Sequence, residues 1–200
     1  MNKIVLASGN KGKLKEFSEI LAQFGIEVLP QSQFNVEEVP ETGTTFVENA
    51  IIKARHAAQV TGLAAIADDS GLEVDLLGGA PGIYSARYGG ENAKDSDNYN
   101  KLLDALKESP EPRSARFQCI LVYMRHSNDP TPIICQAAWE GSVGFAPKGD
   151  NGHGYDPIFI PEGHQCSAAE LSSDEKNALS HRGKAMRLLL SEMKSKGILG

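Results

Sequence analysis

Two lysines and two glycines share one turn between a predicted strand and a predicted helix. The turn consists of Ser8, Gly9, Asn10, Lys11, Gly12 and Lys13. The glycines permit a tight turn, and the first amides of the helix together with two ammonium groups suit a phosphate. The spacing is not that of a Walker A loop, which needs four residues between its glycines and Ser or Thr after the lysine. From spacing alone, a phosphate-binding turn and an ordinary turn with solvated lysines are equally good interpretations.

Two adjacent carboxylates, Asp68 and Asp69, come at the end of a predicted buried strand and are followed by Ser70 and Gly71. Neighbouring carboxylates repel, and Mg²⁺ near phosphates is a common reason to tolerate them. Ligands of open α/β sheets lie outside the carboxyl ends of the strands. A turn in which Asp side chains accept backbone N–H groups is the alternative. Because adjacent strand residues point in opposite directions, we expect one of the two carboxylates to face a ligand.

A further acidic residue, Glu41, begins a Glu-Thr-Gly segment just before a predicted helix. Glu41 is a candidate second carboxylate for a metal ion. Thr45 and Glu48 have the spacing of a capping box, so Glu48 is expected to cap the helix rather than bind a ligand. Lys53 and Arg55 lie further along that helix, where a solvated face is the alternative, and it is the favoured one for Arg55.

Glycines flank an aromatic pair, His153 and Tyr155, in the segment 152–157. Such a loop can lay a ring against a planar ligand, with Lys176, His181 and Arg182 as nearby donors. A β-turn followed by charges at a helix start is the alternative. Alone, this segment is weak support for a site.

The hydrophobic patterns predict the elements that position these residues. Apolar runs predict strands at 4–7, 26–29, 63–67, 72–77, 115–124, 133–145 and 157–160, whereas helical spacing is found at 13–25, 46–62, 95–106, from 167 and from 181. The turn-rich segment 127–130 predicts a hairpin between the two long strands. The interpretation is an α/β fold in which helices flank a mixed central β-sheet, as a two-lobed single domain over residues 1–200 with a cleft between the lobes.

Composition excludes several classes of protein. The 200 residues carry a net charge of −6, which argues against nucleic-acid polymers and membrane surfaces as partners. No apolar run approaches the ~20 residues that span a bilayer. The start lacks the apolar core of a signal peptide. The cysteines, Cys119, Cys135 and Cys166, form neither a disulfide framework nor a metal knuckle. A cytoplasmic protein is therefore expected.

Taken together and in order, the motifs resemble those of the inosine/xanthosine triphosphate pyrophosphatase family, especially its bacterial dITP/XTP pyrophosphatases. The resemblance runs from the first strand to the last helix. Its motifs are Ser8 to Lys13, Glu41-Thr42-Gly43 with Thr45-Phe46 and Glu48-Asn49-Ala50, Ala67 to Leu72, Gly79 to Tyr88, Gly154 to Pro157 and Ser180-His181-Arg182.

The resemblance implies Mg²⁺-dependent hydrolysis of ITP, dITP and XTP to the nucleoside monophosphate and pyrophosphate by a homodimer. It also implies roles for individual residues. Asp69 would be the catalytic residue and, with Glu41, a metal ligand, and Ser70 would contact the substrate. Ser8, Gly9, Asn10, Lys11, Gly12 and Lys13 would hold the triphosphate, and His153, Gly154, Tyr155, Asp156, Lys176, His181 and Arg182 would enclose the nucleotide.

Two departures from the family pattern qualify these expectations. Many relatives carry an acidic residue where this chain has Pro40, so the metal is expected to depend on Asp69 and Glu41. His153 stands where relatives usually have Phe. Imidazole stacks more weakly on a purine, and its charge varies near pH ~6.5, so a pH-sensitive affinity is expected.

Asp69 itself has two possible roles. A carboxylate on Mg²⁺ has a pKa below its reference of ~3.9, so metal binding and water positioning are favoured over proton acceptance. Two other functions stay open. Pro40 is the only support for a non-catalytic nucleotide-binding regulatory protein, and the missing Walker A spacing argues against a P-loop kinase or GTPase.

Overall fold

A six-stranded mixed β-sheet runs through the chain, which the computed structural model describes from residue 2 to residue 200. Its strands are β1 (Asn2–Leu6), β2 (Ile26–Pro30), β3 (Ala64–Val74), β4 (Ser114–Met124), β5 (Ile133–Val143) and β6 (Phe159–Pro161). They are ordered β2-β1-β3-β4-β5-β6. Strand β1 is parallel to both β2 and β3, whereas β5 and β6 are antiparallel. The predicted α/β class with a mixed sheet is confirmed.

The helices flanking the sheet are α1 (Lys11–Ala22), α2 (Phe46–Thr61), α3 (Asp95–Ala105), α4 (Ser173–Leu179) and α5 (His181–Ser195). Residues close to each end of helix α2 determine where it begins and ends. The capping box of Thr45 and Glu48 is formed at its start, and Gly62, with φ of 69°, ends it in the left-handed conformation that glycine adopts at little cost. In the described chain, no helix has the length and apolar character required to cross a membrane.

Two expectations about elements are wrong. The acidic pair does not end a strand, because β3 continues from Ala64 through Asp68 and Asp69 to Val74. Pairing with β1 through the register Ile4↔Ala64 to Leu6↔Ile66 stabilises its first half. The capping box at Ser167 opens only a 3-10 turn, and the helix begins after a second capping box, that of Ser172 and Glu175.

The chain divides into two compact units. The first comprises residues up to Asp69, with Ile120–Gln136 and Ala185–Gly200. The second comprises Ser70–Cys119 and Ala137–Lys184. In the first unit Val5, Phe17 and Ile66 are fully buried. The second has its own apolar core around Leu72, Phe117 and Phe159. Each unit thus buries enough apolar surface to hold its own functional residues in place.

Candidate functional site

A cavity of about 210 Å³ lies in the first unit beside the start of α1. The turn before the helix contributes Ser8, Gly9 and Lys13 to its lining. Asn10 caps the helix, because its side-chain oxygen accepts from the amide of Lys13 at 3.0 Å while its own amide donates to Ser8 Oγ at 3.1 Å. Asn10 and Lys11 are exposed. The turn therefore has the geometry of a helix N-terminus that is open to an anion.

Lys13 is paired with the first residue of the acidic pair. Its Nζ donates to Asp68 Oδ2 at 2.5 Å, and both side chains are largely buried, with 18% and 3% of their surfaces exposed. Asp68 also lines the cavity. The pair holds an ammonium group at the cavity wall, where it can neutralise phosphate charge.

Lys53 of α2 lies between two other carboxylates. Its Nζ is 3.3 Å from Glu41 Oε1 and 3.3 Å from Asp69 Oδ1. Burial alone would lower the pKa of Lys53, but the carboxylates of Asp69, Asp68 and Glu41 outweigh burial and the net shift is upward. The solvated-face interpretation is wrong for Lys53. The residues next to Lys53 in the sequence do not distinguish it from an exposed lysine on a helix, because its partners lie elsewhere in the chain.

The negative charge of Asp69 is poorly stabilised by its surroundings. Burial raises its pKa to about 6, Lys53 opposes that shift, and the nearby charges of Glu41 and Asp68 add to it. Its Oδ2 is buried and accepts no hydrogen bond from the residues that the structure describes. The pKa before any cation binds is therefore raised, the opposite of the lowering expected for a metal-bound carboxylate. A cation at this oxygen would relieve an unfavourable charge.

The position of Glu41 is set by a close approach of backbone to α2. The amide of Gly43 donates to Asn49 Oδ1 at 2.8 Å. A Cβ at Gly43 would meet Glu48 Cβ at 2.5 Å and Asn49 Oδ1 at 2.7 Å, so only glycine fits here. This contact explains the glycine of the Glu-Thr-Gly segment, and it brings Glu41 to the cavity wall.

The donor set is suited to Mg²⁺ held jointly by protein and phosphate. Within residues 2–200, no group of three or more His, Cys, Asp or Glu side chains is arranged to bind a metal alone. Mg²⁺ in phosphate sites commonly takes only one or two carboxylates, with phosphates and waters completing its shell. Asp69, whose Oδ2 is buried and has no hydrogen-bond partner among residues 2–200, and Glu41, which shares Lys53 as an ion-pair partner, are candidate ligands of that kind.

Four further polar residues line the same cavity without having been singled out from the sequence. They are Gln31, Glu37, Glu38 and His56. Polar residues in a loop after β2 and a histidine on a helix are typical of solvent-facing positions, so their types carried no signal. Their presence makes the cavity rich in carboxylates, which favours a phosphate that arrives together with a cation.

In the second unit, the segment 152–156 forms a tightly held loop. Gly152 and Gly154 have φ of 78° and 61°, in the left-handed region that favours glycine. Asp156 is buried and accepts from the amide of His153 at 2.8 Å and from the ammonium of Lys176. A Cβ at Gly152 would meet Asp156 Oδ2. Buried Tyr155 anchors the loop from its other end. The structure thus brings together His153, Tyr155, Asp156 and Lys176, as the sequence indicated.

The remaining residues of the predicted base-binding set differ in their surroundings. His181 is buried and stacks on Phe117, with ring centroids 4.8 Å apart and planes 12° apart. Arg182, the next residue of α5, is half-buried. Ser70 is half-buried on β3, and its Oγ has no hydrogen-bond partner among the described residues. The His181 ring is therefore part of the aromatic packing of the second unit, rather than a solvated charge at a helix start.

His153 titrates lower than an isolated imidazole. Desolvation and the charge of Lys176, with a further contribution from Arg182, lower its pKa, although the residue keeps an exposed surface. The imidazole is therefore neutral at physiological pH. We expect the ratio of KM values for ITP between the wild type and a His153→Phe variant to stay within about twofold from about pH 6.5 to 8. Steady-state kinetics across that range check this.

The KM of the wild type and the KM of His153→Phe are also followed separately across the same pH range. Titration of the ITP phosphates changes both proteins equally, so only the ratio reports on the imidazole. A wild-type KM that rises as pH falls toward about 6.5, while the KM of His153→Phe stays flat, would contradict a neutral ring and restore the pH-sensitive affinity expected from sequence.

The sheet and the lysine–carboxylate cavity define an α/β protein with a lysine-bearing turn open at a helix N-terminus. The chain belongs to the Ham1 family, whose model matches residues 4–192. A dITP/XTP pyrophosphatase of Shewanella oneidensis is 75% identical over 198 residues, covering 99% of this chain and 97% of that protein. One from Vibrio cholerae is 63% identical over 191 residues, covering 94% and 95%.

Solved structures agree with these matches. A HAM1 protein from Coxiella burnetii is 51% identical and superposes with a TM-score of 0.94, covering 98% of this chain and 100% of that one. A nucleoside-triphosphatase / dITP/XTP pyrophosphatase from Mycobacterium abscessus is 44% identical with a TM-score of 0.80, covering 94% and 98%. The family resemblance inferred from the motifs is confirmed.

Proposed function

We propose that this protein is a pyrophosphohydrolase that converts dITP, ITP and XTP to the nucleoside monophosphate and pyrophosphate with the help of Mg²⁺. The observation that carries the proposal is the cavity of the first unit, where Lys13 and Lys53 are both held by carboxylates beside the start of α1. The relatives that match nearly the whole chain at 75% and 63% identity bear the name dITP/XTP pyrophosphatase.

The triphosphate is assigned to the turn Ser8 to Lys13 and to Lys53. Attack of water on the α-phosphorus, with pyrophosphate leaving, requires charge neutralisation far more than covalent help. Amides at the start of α1 and two fixed ammonium groups stabilise the charge that develops on the leaving phosphates. Because carboxylates already hold both lysines in place, little reorganisation is required when the substrate arrives.

Asp69 and Glu41 are assigned as the ligands of Mg²⁺. When bound, the ion would polarise phosphate oxygens and reduce their repulsion of an attacking water. Asp69 is assigned the positioning of that water, since its Oδ2 has no other hydrogen-bond partner in the described chain. The carboxylate has a pKa of about 6 before a cation binds, so it is ionised at neutral pH. It can then accept a hydrogen bond from the attacking water.

The purine is assigned to the second unit, through Ser70, the loop His153 to Asp156, Lys176, His181 and Arg182. Donors facing the 6-oxygen of hypoxanthine or xanthine would face a further donor, the 6-amino group, in adenine. Leaving such groups unpaired in a buried site costs about 1–3 kcal/mol or more. Guanine shares the 6-oxygen, so its rejection is assigned to crowding at its 2-amino group.

A nucleotide panel tests the proposed function. Purified protein with Mg²⁺ is offered ITP, dITP, XTP, ATP and GTP, and pyrophosphate and orthophosphate are detected separately. We expect pyrophosphate as the first product, rapid turnover of the first three nucleotides and slow turnover of ATP and GTP, with loss of activity in a chelator. Orthophosphate as first product, or equal rates on ATP, would contradict the proposal. ITP binding without any product would instead indicate a regulatory nucleotide-binding protein.

We also propose that residues 1–200 act as one domain of a cytoplasmic homodimer. The match of the family model over residues 4–192 supports a single domain. The free thiols of Cys119, Cys135 and Cys166 are compatible with a reducing compartment. Light scattering coupled to size exclusion tests the assembly, and a mass equal to one chain would contradict the homodimer.

A further inference from the structure

The loop 152–156 is held at three successive residues, and one of the anchors comes from a distant helix. The amide of His153 donates to Asp156 within the loop, at 2.8 Å. The hydroxyl of Tyr155 donates to the carbonyl oxygen of Ser85, at 2.6 Å. Between these two, the amide of Gly154 donates to Asp95 Oδ2 at 2.7 Å, across 59 positions of sequence. The contact with Asp95 therefore fixes the middle of the loop.

Asp95 is the first residue of α3 and is exposed. A carboxylate at a helix N-terminus is stabilised by the helix dipole. However, the cap of α3 does not require Asp95, because Asp97 supplies it: the amide of Lys94 donates to Asp97 Oδ2 at 2.8 Å. The helix thus has its own acidic cap, and the Asp95 carboxylate is turned to the loop instead.

The first turns of α3 are themselves fixed, so Asp95 is a firm anchor. Buried Asn98 accepts from the amide of Gly89 at 2.6 Å and donates to the carbonyl oxygen of Ala86 at 3.2 Å. The same segment contains Ser85, whose backbone carbonyl holds Tyr155 and whose side chain accepts from the amide of Leu72 at 2.9 Å. Asp95 and Tyr155 therefore attach the loop to one connected hydrogen-bond network of the second unit.

Gly154 is where such an anchor matters most. Its φ of 61° is one that glycine adopts without strain, but glycine adopts many other conformations equally well. Without a partner, its amide can rotate, and the adjacent His153 ring rotates with it. The sequence therefore supplies flexibility at Gly154, and Asp95 removes it in the folded protein.

We propose that Asp95 is a positioning residue for purine recognition, acting through the Gly154 amide to keep the loop 153–156 in its base-binding conformation. The proposal rests on the proposed function, in which this loop contacts the purine. It assigns Asp95 no contact with the substrate and no part in the reaction at phosphorus. Loss of the anchor should therefore weaken nucleotide binding, because ordering the loop would then cost conformational entropy each time a purine binds.

The test compares Asp95→Ala with Asp95→Asn and with Asp97→Asn as the matched control on the same helical turn. Asp95→Ala is expected to raise the KM for ITP roughly fivefold to tenfold, the effect of losing one solvent-exposed hydrogen bond, while kcat stays within about twofold. Asp95→Asn keeps an acceptor oxygen and should recover most of the affinity. Asp97→Asn should leave KM unchanged.

Inorganic tripolyphosphate separates base recognition from phosphate binding, because it carries no purine. Its inhibition constant against ITP hydrolysis is expected to be the same in the wild type and in Asp95→Ala. An unchanged KM in Asp95→Ala, failure of Asp95→Asn to recover affinity, or a parallel loss of tripolyphosphate binding would each overturn the positioning role. A wild type that hydrolyses none of the nucleotides would instead overturn the proposed function, so the two failures are distinguishable.

Discussion

An Asp69→Asn variant is expected to lose turnover while its metal-free fold becomes more stable at neutral pH. The substitution keeps the size of the side chain and removes its charge. Turnover of ITP should fall by about 10²- to 10⁴-fold, since an amide holds Mg²⁺ and an attacking water far less well than a carboxylate. Pyrophosphate release under saturating ITP and Mg²⁺ measures this loss.

The gain in stability has a definite pH window. Burial raises the pKa of Asp69 to about 6 from an ordinary value of 3.8, so the ionised carboxylate lowers the free energy of unfolding as pH rises above 3.8, and fully so above about pH 6. That cost is at most about 3 kcal/mol. It disappears below the unfolded pKa, where the group is protonated in both states. In the presence of a chelator, Asp69→Asn should therefore melt several degrees above wild type near pH 8 and at the same temperature as wild type near pH 3.

Asp104→Asn is the matched control for Asp69→Asn. Asp104 has 78% of its side chain exposed and pairs with Lys107 on the surface, so its replacement should change neither turnover nor melting temperature measurably. Wild-type turnover in Asp69→Asn would remove Asp69 from the mechanism. An equal gain in melting temperature at both pH values would show that relief of a buried charge is not its cause.

The parts of the fold that sequence predicts well depend on neighbouring residues. The cap of α2 joins Thr45 to Glu48, three positions apart, and its end needs only the left-handed conformation of Gly62. The turn at Asn10 is equally local, because its partner is the amide of Lys13. Such contacts form within one helical turn, so the types and spacing of the residues are sufficient to predict them.

Prediction fails where partners are far apart in the chain. The pair Asp68 and Asp69 has the composition of a turn, but in the structure β3 continues through it to Val74, with partners outside the segment. Asp68 pairs with Lys13, 55 positions away. The capping box at Ser167 matches its motif but opens only a single 3-10 turn, because the chain extends again at Leu171. Local pattern identifies candidates in these cases, and tertiary contacts decide between them.

In the candidate site, Lys53 likewise has surroundings that local sequence patterns do not predict. For both Lys53 and Arg55 of α2 the sequence leaves a solvated face open, and it favours that interpretation for Arg55. In the structure, Lys53 lies between Glu41 and Asp69, whereas the guanidinium of Arg55 donates to the carbonyl oxygen of Ser127. The surroundings of both side chains are thus set by partners that lie 12 to 72 positions away, a separation that residue types alone do not specify.

A Lys53→Met variant is expected to lose both stability and activity. Methionine keeps the length of the side chain and removes the ammonium, leaving Glu41 and Asp69 without their shared counter-charge. Breaking a buried ion pair costs at least about 3 kcal/mol. We use this lower value because the Lys53 side chain keeps 20% of its surface exposed. At this chain length the melting temperature should fall by about 6 to 12 °C. Turnover should also fall, since one of two phosphate-neutralising cations is missing.

The double variant Lys53→Met with Asp69→Asn isolates the charge from the packing. If the loss in Lys53→Met comes from uncompensated carboxylates, neutralising Asp69 near pH 8 should raise the melting temperature more in the Lys53→Met background than in the wild type, without restoring turnover. The difference between the two gains is a coupling of at least about 1 kcal/mol. Lys107→Met, at a lysine with 66% of its side chain exposed, is the control and should melt like wild type. The same gain from Asp69→Asn in both backgrounds would mean that Lys53 stabilises the protein through its methylene packing, and the shared counter-charge would then have no part in holding the site together.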